Sequence, residues 1–401
     1  MLFNPTEILL PQGVDLARWA VIACDQFSSE REYWDAVCAE VGDAPSALNL
    51  IIPEAYLNDP ELREREKKIG TTAESYCNNG VFATYPGAYI YLERTLRSGA
   101  VRRGLVGAID LDAYEYAGNT ARCRASEEMV PNRLPPRARI RSQSPIETSH
   151  AMLLINDLEL RIIEPLAKKN LPLLYNIELS DGFGHLRGYL VNGDLATTVA
   201  QSIESLADGI IVGDGNHTIA AAKVIWEELS PKLTAQEREC HPARFALAEL
   251  NNVYDDAFEL HAIHRVVFNT EQEGFINGLQ AALGSYITDI GSDGVYTLEC
   301  VSASARRMFH VKQLPIDELI ERVQGYIDGS TTADNVDYIH GEESFDTLAA
   351  QPGNVGIYLP AMERGELFRT TLTRGAFPRK SFSLGEAWDK RFYLECRKIT
   401  K

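Results

Sequence analysis

Between residues 194 and 229 the spacing of apolar positions changes twice. Leu195, Val199, Ile203 and Leu206 recur at helical spacing and Gly209 ends the pattern. Ile210, Ile211 and Val212 follow as an unbroken apolar run, the mark of a short buried strand, and Ile219, Ala222, Trp226 and Leu229 then restore the helical period on one face. This predicts helix, strand, glycine turn, helix, with Gly213, Asp214, Gly215, Asn216 and His217 at the turn.

Elsewhere the chain alternates short apolar runs with charged helical stretches. WAVIAC (19–24) and YIYL (89–92) are apolar runs of this kind, while VRRGLVGAIDL from Val101 and AMLLI (151–155) predict strands. DPELREREKKIG predicts a helix with Asp59 as N-cap, Pro60 at the first position and Gly70 at the stop. After about Thr270 the polar NTEQEG marks a boundary; strand-like YTLECV and RMFHV and a helix over IDELIERVQGYI follow. The mixture argues for an α/β (α+β) chain with mixed sheets, not a regular βαβ repeat. Three lobes are expected: 1–100, 101–269 carrying the turn, and 270–401.

Composition narrows the partners. A 401-residue chain that is 45% hydrophobic is long enough for two or three cores, and a formal charge of −18 disfavours attraction to nucleic acid or anionic lipid. No apolar run approaches the roughly 18 residues that span a bilayer, and MLFNPTEILLPQG lacks a signal-peptide pattern, so a cytoplasmic protein without membrane or nucleic-acid partners is expected. Homo-oligomerisation is compatible with all of this. The seven cysteines are never closer than fourteen positions, which leaves no C-x-x-C motif and favours reduced thiols. His261 and His264 form H-x-x-H, but HAIHRVVF reads as a strand, which would send the two rings to opposite faces. H-E-x-x-H, G-x-S-x-G and Walker-type motifs are absent.

The turn carries the chemistry. A strand stopping at Gly213 and a helix starting near His217 bring free backbone N–H groups and the positive end of a helix dipole to one spot, which favours a phosphate. Gly213 and Gly215 allow close backbone approach, Asp214 offers a carboxylate for Mg²⁺ or a hydroxyl, and His217 can donate to a phosphate oxygen. The alternative is that Asp214 or Asn216 merely caps the helix, but a cap accounts for one polar residue, not three after a buried strand. G-D-G-N-H-T approaches a dinucleotide fingerprint, yet Thr218 holds the third glycine position and no acid-ended strand follows about twenty residues on.

Upstream, six arginines fall between Arg122 and Arg141 in an otherwise acidic chain. Arg137, Arg139 and Arg141 alternate, so a strand would aim them to one face, where guanidinium forks suit phosphate. The neighbouring Glu127 and Glu128 would face opposite ways in extended backbone, leaving one of them as a candidate general base.

The stretches WAVIACDQFSSEREYW, GDAPSALNLIIPEAYL, NRLPPRARIRSQSPIE, VGDGNHTIAAAK, HPARFALAELNNVYDDAFELHAIHRVVF and PRKSFSLGEAWDKRFYLECRKI resemble a bacterial family known as domain of unknown function 1015. A more distant likeness is to the ParB and sulfiredoxin superfamily, which includes free-serine kinases. There an acid-bearing motif, an arginine, a Pro-Ile strand and a strand ending in D-G-H-H-R occur in order, matched here by Glu127, Arg133, Pro145-Ile146 and Asp214 to His217. The resemblance implies a ParB/sulfiredoxin-like central core and a nucleotide, ATP or ADP or another, with its phosphates on Gly213, Gly215, Asn216 and Thr218. It also implies Mg²⁺ at Asp214, Glu127 as base, and a small hydroxylated acceptor, free serine first. Asn216 and Thr218 stand where the superfamily has His and Arg, so Arg133, Arg137 or Arg139 is expected to supply the missing cation. A small-molecule kinase is therefore the leading expectation, against a nucleotide-binding regulator without catalysis or a phosphate-ester hydrolase.

Overall fold

The computed structural model of the chain describes residues 1–129, 134–288, 295–312, 314–332 and 335–400. It is a mixed α/β protein in two compact units, Met1–Phe258 with Glu386–Lys401, and Glu259–Gly385.

The first unit is built on an eleven-stranded sheet. Its strands are β1 (Phe3–Asn4), β2 (Thr6–Pro11), β3 (Phe82–Thr95), β4 (Val101–Asp110), β5 (Tyr114–Glu115), β6 (Cys123–Ala125), β7 (Ala151–Ile155), β8 (Leu173–Glu178), β9 (His185–Val191), β10 (Ile210–Asp214) and β11 (Phe245–Asn252). They lie in the order β8-β9-β3-β4-β11-β7-β10-β6-β5, with β1 against β4 and β2 against β3. The site-bearing strand β10 is parallel to β6 and antiparallel to β7.

Strand alternation gives the sheet two buried faces. Tyr89 and Tyr91 of β3 point into one core and Ile90 and Leu92 into the other. The tyrosine face is covered by helices α3 (Gly193–Glu204), through Ala196, Val199, Ala200 and Ile203, and α4 (Asn216–Leu229), through Ile219, Ala222 and Trp226. The other face is covered by Trp19, Trp34 and Ile69 from the N-terminal segment and by Phe392, Tyr393 and Leu394 from the C-terminal one. Both termini of the first unit thus seal the same core.

Several expectations are corrected. The division at residue 100 falls in a tight hairpin turn, where Leu96 N–H bonds Ala100 C=O at 2.8 Å and β3 and β4 pair from Thr95 with Val101 onward. Polar turn residues punctuate hairpins as well as linkers. The polar NTEQEG, read as a lobe boundary, is the cap of a helix over Gln272–Leu283, with Glu271 accepting from Glu273 and Gly274 N–H. Finally, the helix expected to stop at Gly70 is α1 (Leu62–Asn78) and runs through it. A Cβ at Gly70 would lie 2.6 Å from Gln143 C=O, so this glycine serves close packing against the neighbouring helix α2 (Leu134–Gln143), not termination.

The second unit carries a six-stranded sheet in the order Ile287–Thr288, Arg306–Lys312, Val295–Ser302, Val355–Tyr358, His264–Val267, Val336–Ile339. The helix over Glu342–Ala349 seats Phe345 and Ala349 on Val266 and Val301. HAIHRVVF is two strands, not one: Leu260–Ala262 pairs Phe382–Leu384, and His264–Val267 enters the larger sheet, which places His261 and His264 in different sheets. No described helix is long and apolar enough to cross a membrane.

Candidate functional site

β10 ends the way its sequence demands. Ile210, Ile211 and Val212 are fully buried, Asp214 closes the strand, and Gly215 at φ +80° and ψ +29° turns the chain into α4. Gly215 N–H bonds Asp214 Oδ1 at 2.8 Å, and Gly215 C=O accepts from Thr218 N–H at 2.9 Å, so no side chain caps the helix. Glycine is required here twice over. The left-handed backbone disfavours a side chain, and a Cβ would sit 2.8 Å from Arg391 Nη2 and 3.1 Å from Ala151 Cα. The N-terminus and dipole of a fourteen-residue helix therefore lie at the end of a buried strand.

The cation at this turn is Arg391. Its side chain is fully buried; Nη1 donates to Asp214 Oδ2 at 2.8 Å and Nε to His150 C=O, and the guanidinium lies over the Tyr393 ring at 5.8 Å. Nη2 is 3.6 Å from Asp25 Oδ2 and has no hydrogen-bond acceptor. Lys390 Nζ adds a second positive charge 3.8 Å from Asp214 Oδ2. Burial alone would raise the Asp214 carboxyl, but Arg391, Lys390 and the Gly215 N–H outweigh it and hold the group at about 2.

These charges bear on the metal expected at Asp214. Oδ1 is taken by Gly215 N–H and Oδ2 by Arg391, and two cations already stand beside one carboxylate. The residues present do not fit Mg²⁺ at Asp214, whose two oxygens already meet Gly215 N–H, Arg391 and Lys390; a donor left uncommitted beside the turn is Arg391 Nη2, which suits an anion at the helix terminus.

Parallel pairing brings the end of β6 beside the turn. Val212 is in register with Ala125, so Ser126 and Glu127 follow alongside Gly213 and Asp214. Ser126 is fully buried and its Oγ lies 3.5 Å from Asn216 Nδ2, while Asn216 Oδ1 is buried without a hydrogen-bond partner. Glu127 is half-buried and Glu128 exposed. His217, second in α4, is half-buried, and Arg133 lies outside the described residues.

The other arginines are arranged differently from the expected strand. LPPRARIRSQ forms α2, with prolines tolerated in the first turn and little β-branching. Arg137 and Arg141, four apart, share one side of the helix and pair with Glu54 and Glu147. Arg139 points elsewhere, its Nε and Nη2 gripping Glu66 of α1 at 2.8–3.1 Å, and so is not part of the turn. Arg137, Arg141, Ile140 and, from α4, Thr218 and Ala221 line a cavity of about 70 Å³ that reaches Ser149 just before β7.

Sequence reasoning did not find Arg391, Lys390 or Asp25. Arg391 is 177 positions from Asp214; the stretch that holds it is one of those that carry the family resemblance, but nothing in its residue types links its Asp-Lys-Arg run to the turn.

The model of the family described as "Protein of unknown function (DUF1015)" matches residues 8–372, and the chain belongs to that family. No curated protein matches it. Among solved structures it is similar to SbnI with a C-terminal truncation from Staphylococcus aureus, at 9% identity over 74% of this chain and 87% of that one, TM-score 0.41. A free serine kinase in complex with AMP is similar at 11% identity over 73% of this chain and 90% of that one, TM-score 0.39. A conserved hypothetical protein from Pyrococcus furiosus is similar at 12% identity over 73% and 94%, TM-score 0.37. None of these likenesses assigns an activity to the chain.

Proposed function

We propose that this protein is a nucleotide-dependent phosphotransferase, a kinase that moves the terminal phosphoryl group of ATP, or of another nucleotide, to the hydroxyl of a small metabolite, with free serine as the first acceptor to try. The observation that carries the reading is Arg391 Nη2, a buried guanidinium nitrogen without a hydrogen-bond acceptor, held against Gly215 at the start of α4. A buried donor left unmade is costly, and a phosphate oxygen at the turn would satisfy it while also meeting the helix N–H groups.

In this reading Gly213 and Gly215 let the phosphoryl oxygens approach the backbone, the side chains of Asn216 and Thr218 contact them, and Arg391 supplies the arginine missing from the turn sequence. His217 donates to a phosphate oxygen, and Asp214 acts as the counter-ion that aims Arg391. Glu127, half-buried at the neighbouring strand end, takes the acceptor proton. The acceptor oxygen bonds to phosphorus, the bond from phosphorus to the bridging oxygen breaks, and the electron pair leaves with the shortened nucleotide. Positioning and charge neutralisation supply most of the rate in such transfers.

The test is terminal-labelled ATP offered to the full chain with serine and other small hydroxyl compounds. Label on an acceptor supports the proposal. Label released to water identifies a hydrolase, and bound nucleotide that stays intact identifies a regulatory binder.

A further inference from the structure

The cavity between α2 and α4 lies on one side of the turn and Glu127 on the other. β10 runs between β7 and β6; Ser149, which lines the cavity, precedes β7, and Glu127 follows β6. We propose that this cavity is the subsite for the sugar and base of the nucleotide. The assignment rests on the turn being the place of the transferred phosphoryl group. Phosphoryl transfer sets the attacking and leaving oxygens roughly in line through phosphorus. With Glu127 serving the attacking hydroxyl on the β6 side, the leaving oxygen and everything attached to it point to the β7 side, into the cavity.

The walls suit that cargo. Thr218 leads from the phosphate turn into the cavity, Arg137 stands on the wall where the remaining phosphates pass, and Ile51, Ile52, Ile140 and Ala221 surround the interior with aliphatic carbon. The space of about 70 Å³ holds roughly five to seven waters at about 10–15 Å³ each, which is room for one ring with the rest of the nucleoside at the mouth.

The same walls are poor readers of a base edge. Ser144 Oγ donates to Ile146 C=O at 2.6 Å, Thr148 Oγ1 to Glu395 C=O at 2.9 Å, and Ser149 Oγ to Tyr393 Oη at 3.4 Å. These hydroxyl protons are already committed within the protein. The charged wall residues are tied up as well, Arg137 with Glu54 and Arg141 with Glu147. A lining whose polar groups are mostly committed within the protein separates chemically similar ligands weakly, so the subsite accepts several bases.

The test is calorimetric titration of the full chain with ADP, GDP, CDP and inorganic pyrophosphate. The three diphosphates are expected within about tenfold of one another and at least about tenfold tighter than pyrophosphate, the difference being the buried nucleoside. Ala221→Phe and Ile140→Trp, which fill the cavity, should bring ADP down to the pyrophosphate level and leave pyrophosphate unchanged. Ile140 is only half-buried, so its variant remains informative if the Ala221 variant does not fold. Pyrophosphate binding as tightly as ADP overturns the assignment. So does a folded Ile140→Trp protein with parental ADP affinity, or a preference above about a hundredfold for one base. If neither ADP nor pyrophosphate binds the parent, the reading of the turn itself falls, and the subsite with it.

Discussion

Arg391 and Asp214 meet through a 2.8 Å hydrogen bond although 177 positions separate them. The pair joins the C-terminal segment to the end of the site strand, and the guanidinium is fully buried while the carboxylate is 20% exposed. Removing Arg391 leaves Asp214 with Lys390 alone and takes the guanidinium away from Asp25 as well, and breaking a buried pair of this kind costs about 3–5 kcal/mol. Arg391→Ala is therefore expected to lower stability by that order and to abolish nucleotide binding. Arg391→Lys keeps the charge and should retain part of the stability but little of the phosphate contact, since an ammonium cannot reproduce the fork. Chemical denaturation alongside nucleotide titration of both variants checks this.

The depressed Asp214 carboxyl makes stability depend on pH in a defined window. Its value falls from the ordinary 3.8 to about 2 in the folded protein, so ionised Asp214 stabilises the fold fully above about pH 5, by about 2–3 kcal/mol at roughly 1.4 kcal/mol per unit. That contribution is lost as pH falls through 3.8 towards 2. Asp214→Asn should be less stable than the parent at neutral pH and show a shallower loss between pH 4 and 2, measured by urea unfolding across that range. An unchanged slope would contradict the assignment of the charge pair.

Much of this site was legible in the sequence, and the reasons are local. The apolar run Ile210–Val212, the glycines and the helical period after His217 place the strand, turn and helix correctly, because buried strands and amphipathic helices write their periods directly into the chain. Two things were not legible. The alternating arginines mimic a strand pattern, but Leu134–Gln143 is a helix whose arginines answer to Glu54, Glu66 and Glu147 from distant segments. Arg391 depends on the C-terminal segment returning to the core of the first unit, a long-range contact that no periodicity records.

Gly215 gives a sharp test of the turn. At φ +80°, with Arg391 Nη2 2.8 Å from the position of a Cβ, Gly215→Ala meets both backbone strain and a clash. A loss of about 1–3 kcal/mol in stability is expected from the conformation alone, together with loss of nucleotide binding as Arg391 is displaced. Gly118 has a positive φ of 92° but no neighbour closer than 3.7 Å, so Gly118→Ala should cost stability and leave nucleotide affinity intact. Denaturation and titration of the two variants side by side separate strain from site.

The measurement that most directly tests the central claim is transfer of the terminal phosphoryl group by the parent and by Glu127→Gln, with nucleotide affinity determined on the same preparations. Glutamine keeps the size and much of the hydrogen bonding of Glu127 but cannot take a proton. The expected result is transfer to a hydroxyl acceptor by the parent, a fall of about 10² to 10⁴ in the variant, and nucleotide affinity unchanged between them. A parent that binds nucleotide and transfers to no hydroxyl compound, or a variant as fast as the parent, would contradict it.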